Sequence, residues 1–424
     1  MLKSIFRPST FLLIIVLWMN GIIFCYSQTS TQSHILKTVK LERADLVLSE
    51  PIILMGSNDQ LVLQFDDLTG GVKRYSYTFV HCNQKWDVSK LSYFDFLNGF
   101  ERNEIDNYSF SSATTQNYTH YSLTFPNNDI SFKISGNYLI QVWDENNDTA
   151  PIISKRFYVW ENIAAINSKV QRPNVIKYRN EFQRINTTVD ITNAKISNPY
   201  DEIRLSIKMN KSDSITYTDI KPKLITRNIL YYDDDNIVFP GGKEFRRFDT
   251  RSLRFKTDRI SKVENSKTRN DSYITPDESR AYQQYIYETD MNGNFVIMAD
   301  LTRNVEIEAD YSYIHFVLQY PYFLTNGNMY VVGGFNGYAC NNENKMEYNF
   351  DKQQYEATIY LKQGYYNYMY AFLDSKNPKL DFSYTEGNYF ETENDFTIFV
   401  YEHVYDRDYD RLIGVKSVNS VKTK

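Results

Sequence analysis

Residues able to act as nucleophile and base are scarce in this chain. It has five histidines and three cysteines, and His81 and Cys82 are the only His–Cys neighbours. A thiol is activated by an imidazole within hydrogen-bond reach, but consecutive residues on a strand point to opposite faces. The alternation through 72–82 is strand-like: Tyr75, Tyr77, Phe79 and His81 share one face, and Ser76, Thr78, Val80 and Cys82 the other. His81 and Cys82 are therefore expected to be core residues rather than a catalytic pair. His34, His120, His315 and His403 stand singly, without metal-ligand spacing. No G-x-S-x-G, H-E-x-x-H or C-x-x-C string is present. Asp233-Asp234-Asp235 offers oxygens to calcium but lacks the glycine and distal glutamate of a calcium loop, so it reads as a solvated turn. Gly333-Gly334 lacks the full glycine pattern and following helix of a phosphate cradle. Acidic residues are abundant, yet nothing singles out one pair for glycoside hydrolysis. The expectation is a non-catalytic protein with no catalytic, cofactor-binding or metal site.

The elements that hold these residues are expected to be strands. The 36 Tyr and 27 Phe suit half-buried pleated surfaces and point to an all-β fold. A chain of 424 residues exceeds one small β-domain and implies two or three cores, of which three are carried here. Lys3 and Arg7 precede the apolar run 11–18, and the small residues Cys25 and Ser27 follow at the spacing of a signal peptidase site. Residues 1–27 are expected to be a cleaved signal peptide, with the mature chain starting at Gln28. Lipidation at Cys25 is disfavoured by the bulky Phe24 before it. The leader carries two positive charges and no acid, so its removal takes the formal charge from -5 to about -7, which argues against nucleic acid as a partner. Cys82 and Cys340 then remain near opposite ends of the chain, and two buried free thiols are expected rather than a bridge.

Turn signals divide the remainder. Residues 35–160 carry short alternating runs spaced as in an Ig-like β-sandwich, closing near Trp160. Residues 163–312 are expected to form a middle β domain. In it Asn292-Gly293 signals a hairpin, Thr275-Pro276-Asp277-Glu278 a short helix, and 262–272 a polar loop. Residues 318–405 are expected to form a C-terminal Ig-like sandwich, and 406–424 a polar tail frayed from 415 onward.

Two resemblances are carried by particular strings. Phe335-Asn336-Gly337-Tyr338 and Lys362-Gln363-Gly364-Tyr365-Tyr366 resemble starch- and glycogen-binding Ig-like modules, which usually have tryptophan where this chain has Tyr338. No tryptophan lies beyond Trp160. An envelope glycan-binding protein is the alternative function that this resemblance implies. The second resemblance spans about 35–402. Leu41-Glu42-Arg43-Ala44-Asp45-Leu46, Leu63-Gln64-Phe65-Asp66-Asp67-Leu68, His81-Cys82-Asn83 with Trp86, and Ser135-Gly136-Asn137-Tyr138-Leu139 come first. Arg172-Pro173 with Tyr178-Arg179-Asn180-Glu181-Phe182, and Glu386-Gly387-Asn388 with Thr392-Glu393-Asn394-Asp395-Phe396, follow in order. Together they resemble the plug protein family of the type IX secretion system of Bacteroidota. That resemblance implies a periplasmic plug on the giant outer-membrane β-barrel translocon, docked at its periplasmic mouth and closing the pore when no substrate is passing. It implies no cofactor and no small-molecule substrate, and it names no docking residue.

Overall fold

The computed structural model describes residues 30–31, 35–376 and 379–421. The expected signal peptide and His34 lie outside the described residues. Among these residues strands dominate, helices are single turns, and no helix is long and apolar enough to cross a membrane.

Alternation builds the first sandwich. One sheet runs in the order Ser30–Thr31, Ile153–Trp160, Gly136–Asp144, Tyr75–Cys82, Arg102–Ile105, with Ile52–Leu54 lying parallel to Ile153–Trp160. The facing sheet is Leu36–Arg43, Leu61–Asp67, Thr119–Phe125, Tyr108–Phe110. Their inner faces join Leu63, Phe65, Tyr75, Phe79, Tyr121, Tyr138 and Phe157 in one aromatic-rich core. Phe157 and Val159 are both buried on the closing strand.

The second and third cores do not follow the expected boundaries at 163–312 and 318–405. Ala165–Gln171, Phe182–Asp190, Ile229–Tyr232 and Leu224–Thr226 form one sheet. The sheet opposite is Thr216–Ile220, Ile203–Met209, Asp395–Val404, Tyr409–Asn419, so its last two strands come from the end of the chain. The shared core contains Val189, Leu205, Ile207 and Leu230 together with Phe396, Ile398, Val400 and Ile413. Residues 246–381 make the third sandwich. Gly364–Asp374 is its hub, pairing with Arg246–Asp249, Phe295–Ile297, Gly327–Val332 and Leu380–Asp381. Ile260–Asn265, Asn270–Ile274, Tyr311–Gln319 and Gln354–Lys362 face it.

Three local expectations change with this arrangement. The polar stretch 262–272 lies within a hairpin, Ile260–Asn265 with Asn270–Ile274, whose polarity reflects a solvent-facing side. Asp277–Glu278 is a short strand rather than a helix start, because the Asp277 carboxylate is drawn inward by Arg246 and the hydroxyls of Tyr368 and Tyr370. The 292–293 turn is present at positive φ, but Phe295–Ile297 pairs with Gly364–Asp374 and no strand covers 285–289. The tail also differs: Tyr409–Asn419 is a full strand with Leu412, Ile413 and Val418 buried.

Candidate functional site

His81 and Cys82 occupy separate interiors, as their strand phase requires. The His81 ring packs 5.0 Å from Tyr138 and 5.9 Å from Phe96, and burial pushes it down to about 4, so it is neutral at physiological pH. Gly136, at φ +149°, lies against this ring, where a Cβ would stand 2.4 Å from Nε2. Cys82 faces the other way, into a cluster with Trp86, Leu139, Tyr158 and Phe399. Its thiol is pushed by burial up to about 12, and so is that of Cys340, which packs with Phe245, Tyr330 and Met369 of the third sandwich. Neither is an activated nucleophile. Both thiols are free. Maleimide should therefore label both after denaturation without reductant, and failure to label either would mean a bridge.

The remaining candidates are held by other side chains. Asp233 and Asp235 accept from Arg184 Nη1 at 2.5 and 2.8 Å. His120 Nδ1 is 2.7 Å from Asp66, His315 Nε2 is 2.7 Å from Asp271, and His403 Nδ1 is 2.8 Å from Asp410. Among the described residues no group of three or more His, Cys, Asp or Glu side chains is placed to hold a metal ion. Gly334 donates to the Gly293 carbonyl at 2.7 Å within a turn, and Tyr338 is only 6% exposed. The tyrosine at the place of the sugar-stacking tryptophan thus faces inward, beside Phe245.

The notable polar chemistry lies where the three sandwiches meet. Asp66, on the strand Leu61–Asp67 of the first sandwich, is fully buried. Its Oδ2 accepts from Tyr311 Oη and Lys362 Nζ, both at 2.7 Å, and these belong to the third. Burial lowers the Lys362 ammonium and Asp66 partly restores it. Against the middle unit, Tyr158 stacks on Phe399 with centroids 4.4 Å apart, and Tyr401 donates to Asn137 at 2.8 Å. The backbone N–H groups of Glu161 and Ile163 donate to Leu412 and Ile413. A second buried network centres on Glu386. Burial alone would raise its carboxyl, but Arg246 and Arg280 hold it down at about 2. Arg246 also reaches Asp277 at 2.8 Å. Asn394, just before the returning strand Asp395–Val404, donates to the Gly241 carbonyl at 2.8 Å and so ties that strand to the first half of the middle unit.

Asp66, Asn137, Glu386 and Asn394 all fall within the strings that carried the family resemblance, so those strings mark interior cement rather than a catalytic centre. Sequence reasoning passed over Arg246 and Arg280 and gave Asp277 and Lys362 no interior role. The one available signal was a charge in the inward phase of an apolar strand, as Arg246 stands two residues before Phe248.

On the outside, Tyr322, Phe323 and Phe350 are exposed at one corner of the third sandwich, with Phe323 and Phe350 ring centroids 5.3 Å apart.

The family model described as the type 9 secretion system plug protein 1st domain matches residues 36–161, the extent of the first sandwich. Residues 36–161 are therefore a type 9 secretion system plug protein first domain. The chain as a whole has a solved relative. A crystal structure of a hypothetical protein from Parabacteroides merdae is 33% identical, with a TM-score of 0.89, covering 92% of this chain and 98% of that one. A second structure, described as manganese lipoxygenase of Gaeumannomyces graminis with partial zonadhesin of Komagataella pastoris, covers 92% of this chain and 97% of that one at 7% identity. Its TM-score of 0.15 adds nothing to the reading. No curated protein matches the chain. The plug-domain match points to a part in type IX secretion, to an envelope location and to a non-enzymatic, structural role.

Proposed function

We propose that the chain is the periplasmic plug of the type IX secretion translocon: it docks on the periplasmic mouth of the giant outer-membrane β-barrel and seals the pore when no substrate is passing. The match of residues 36–161 to the first domain of the plug family carries this reading. The physical character of the molecule supports it. A stopper needs rigidity and size rather than chemistry, and here the buried Asp66–Lys362 pair ties the first sandwich to the third while the Tyr158–Phe399 stack ties it to the middle one. Compact-domain scaling gives a radius of gyration of about 21 Å for roughly 400 residues, enough to obstruct a wide pore. Docking must be reversible, because one pore cannot hold both plug and cargo, so the interface is expected to be of moderate size with a polar rim.

The test compares a deletion strain with one in which the chain is covalently crosslinked to the barrel. Deletion should admit large antibiotics while cargo export continues, and crosslinking should stop export. Unchanged permeability in the first together with normal export in the second would sink the proposal. The inward-facing Tyr338 removes the main stacking platform from the glycan alternative, which saturable calorimetric heat with soluble glucans would revive.

A further inference from the structure

At the point where all three sandwiches meet there is a cavity of about 180 Å³. The first unit lines it through 39–42, 48–51 and 155–156, the second through Lys208, Asn210, Lys211 and Asp213, and the third through Asn294, Phe295 and the 334–338 turn. In a chain whose formal charge is -5, the wall is basic. Lys40, Lys155, Arg156, Lys208 and Lys211 face three carboxylates, those of Glu42, Glu50 and Asp213.

The pairing within the wall is uneven. Glu42 is 3.3 Å from Lys40, Glu50 is 2.6 Å from Lys208, and Asp213 is 3.2 Å from Arg156 and 3.3 Å from Lys208. All three acids are thus in ion pairs, and two lysines have none. Lys155 has no hydrogen-bond or ion-pair partner among the described residues, and Lys211 donates only to the Leu48 carbonyl. The Arg156 Nε–H is also buried without an acceptor. Burial pushes the Lys155 ammonium down to about 8 against the pull of Asp213, and lowers that of Lys211 against the pull of Glu50, Asp395 and Glu42, so the lost water outweighs the nearby carboxylates. Partly desolvated charge that nearby carboxylates do not fully offset is costly, and an oxyanion accepting from several N–H donors reduces that cost.

We propose that this three-way junction is a binding site for a small multivalent oxyanion of the phosphate or sulfate class, held by Lys155 and Lys211 and by the free Arg156 donor. About two negative charges match the two unpaired lysines. At roughly 30 Å³ per water, the cavity has room for such an ion with a few waters. Because the donors come from two units and the third closes the wall, the bound ion would clamp the sandwiches together. This site is independent of whether the protein seals a pore.

Calorimetry with inorganic phosphate on the full mature chain should give saturable, one-to-one heats, with sulfate behaving alike and chloride at matched ionic strength giving none. The variants Lys155→Met and Lys211→Met should each weaken phosphate at least tenfold. Non-saturating heats, or wild-type affinity in both variants, would overturn the site. If the variants do not fold, acetylation of the wild-type chain read by mass spectrometry decides instead. Phosphate should slow modification of Lys155 and Lys211 at least threefold relative to chloride while other lysines are unaffected, and uniform rates would exclude the site.

Discussion

Replacing Glu386 by glutamine is expected to cost about 3–5 kcal/mol of folding stability, the range for leaving a buried charge without its partner. The carboxylate is fully buried, accepting from Arg246 Nε at 3.0 Å and from Arg280 Nε and Nη2 at 2.8 and 2.6 Å. Glutamine keeps the shape but removes the charge and turns an amide donor toward a guanidinium. Arg246 retains Asp277, whereas Arg280 keeps only the Glu244 carbonyl. The folded carboxyl sits at about 2 against an ordinary value of 4.5. A depressed acid adds stability that is fully present above its unfolded pKa and is lost as pH falls toward its folded one. Wild type should therefore lose this stabilisation between about pH 4.5 and 2, and the variant should lack that part of the slope. Urea unfolding across this window measures both effects. A variant within 1 kcal/mol of wild type, or one with an unchanged acid slope, contradicts the assignment.

Asp66→Asn is the second large effect, and it separates units rather than weakening one. The substitution orphans the Lys362 ammonium, which is fully buried over the Tyr118 ring at 4.2 Å, and weakens the tie to Tyr311. A loss of about 3–5 kcal/mol is expected, with most of the cost lying in the stranded lysine. The double variant with Lys362→Met should then be more stable than Asp66→Asn alone, a coupling that a double-mutant cycle isolates. Hydrogen exchange should show the loss as faster opening of Leu61–Asp67 and Tyr311–Gln319 while the middle sandwich stays protected. If the two substitutions simply add, the pair is not the joint.

What could be read from the sequence was local. Alternation through Tyr75–Cys82 set the face of every residue, so the separation of His81 from Cys82 followed without a structure. Alternation does not say which partner a strand takes. The run 396–401 reads the same whether it closes the third sandwich or the second, and its pairing with Ile203–Met209 spans nearly half the chain. A clue lay in its continuity: Phe396, Ile398 and Val400 enter the middle core while Phe399 and Tyr401 pack on the first unit, so both phases are apolar. Residues 409–419 looked like a tail because charges fill the gaps between their buried positions. The junction networks were the least legible. A buried Lys362 or Arg246 is indistinguishable from a solvated one until the acid opposite is known, and Asp66 and Glu386 are respectively 296 and 140 residues away.

The strand exchange dictates an order of assembly. The first sandwich is complete once residue 160 is available and can form while the rest of the chain is still emerging. The middle one cannot: its sheet Thr216–Ile220, Ile203–Met209 waits, edge open, for Asp395–Val404 and Tyr409–Asn419. The whole third sandwich is looped out between the two halves of the second, so it must form or be tolerated as an insertion before the middle core can close. Long-range pairing of this kind is slow and leaves an unpaired strand edge exposed to other chains. Newly made molecules should accordingly pass through a stage with the N-terminal unit formed and the centre unfinished, the stage at which a chaperone or protease meets them. Loss of even the last dozen residues would leave the centre, not merely the end, unable to mature.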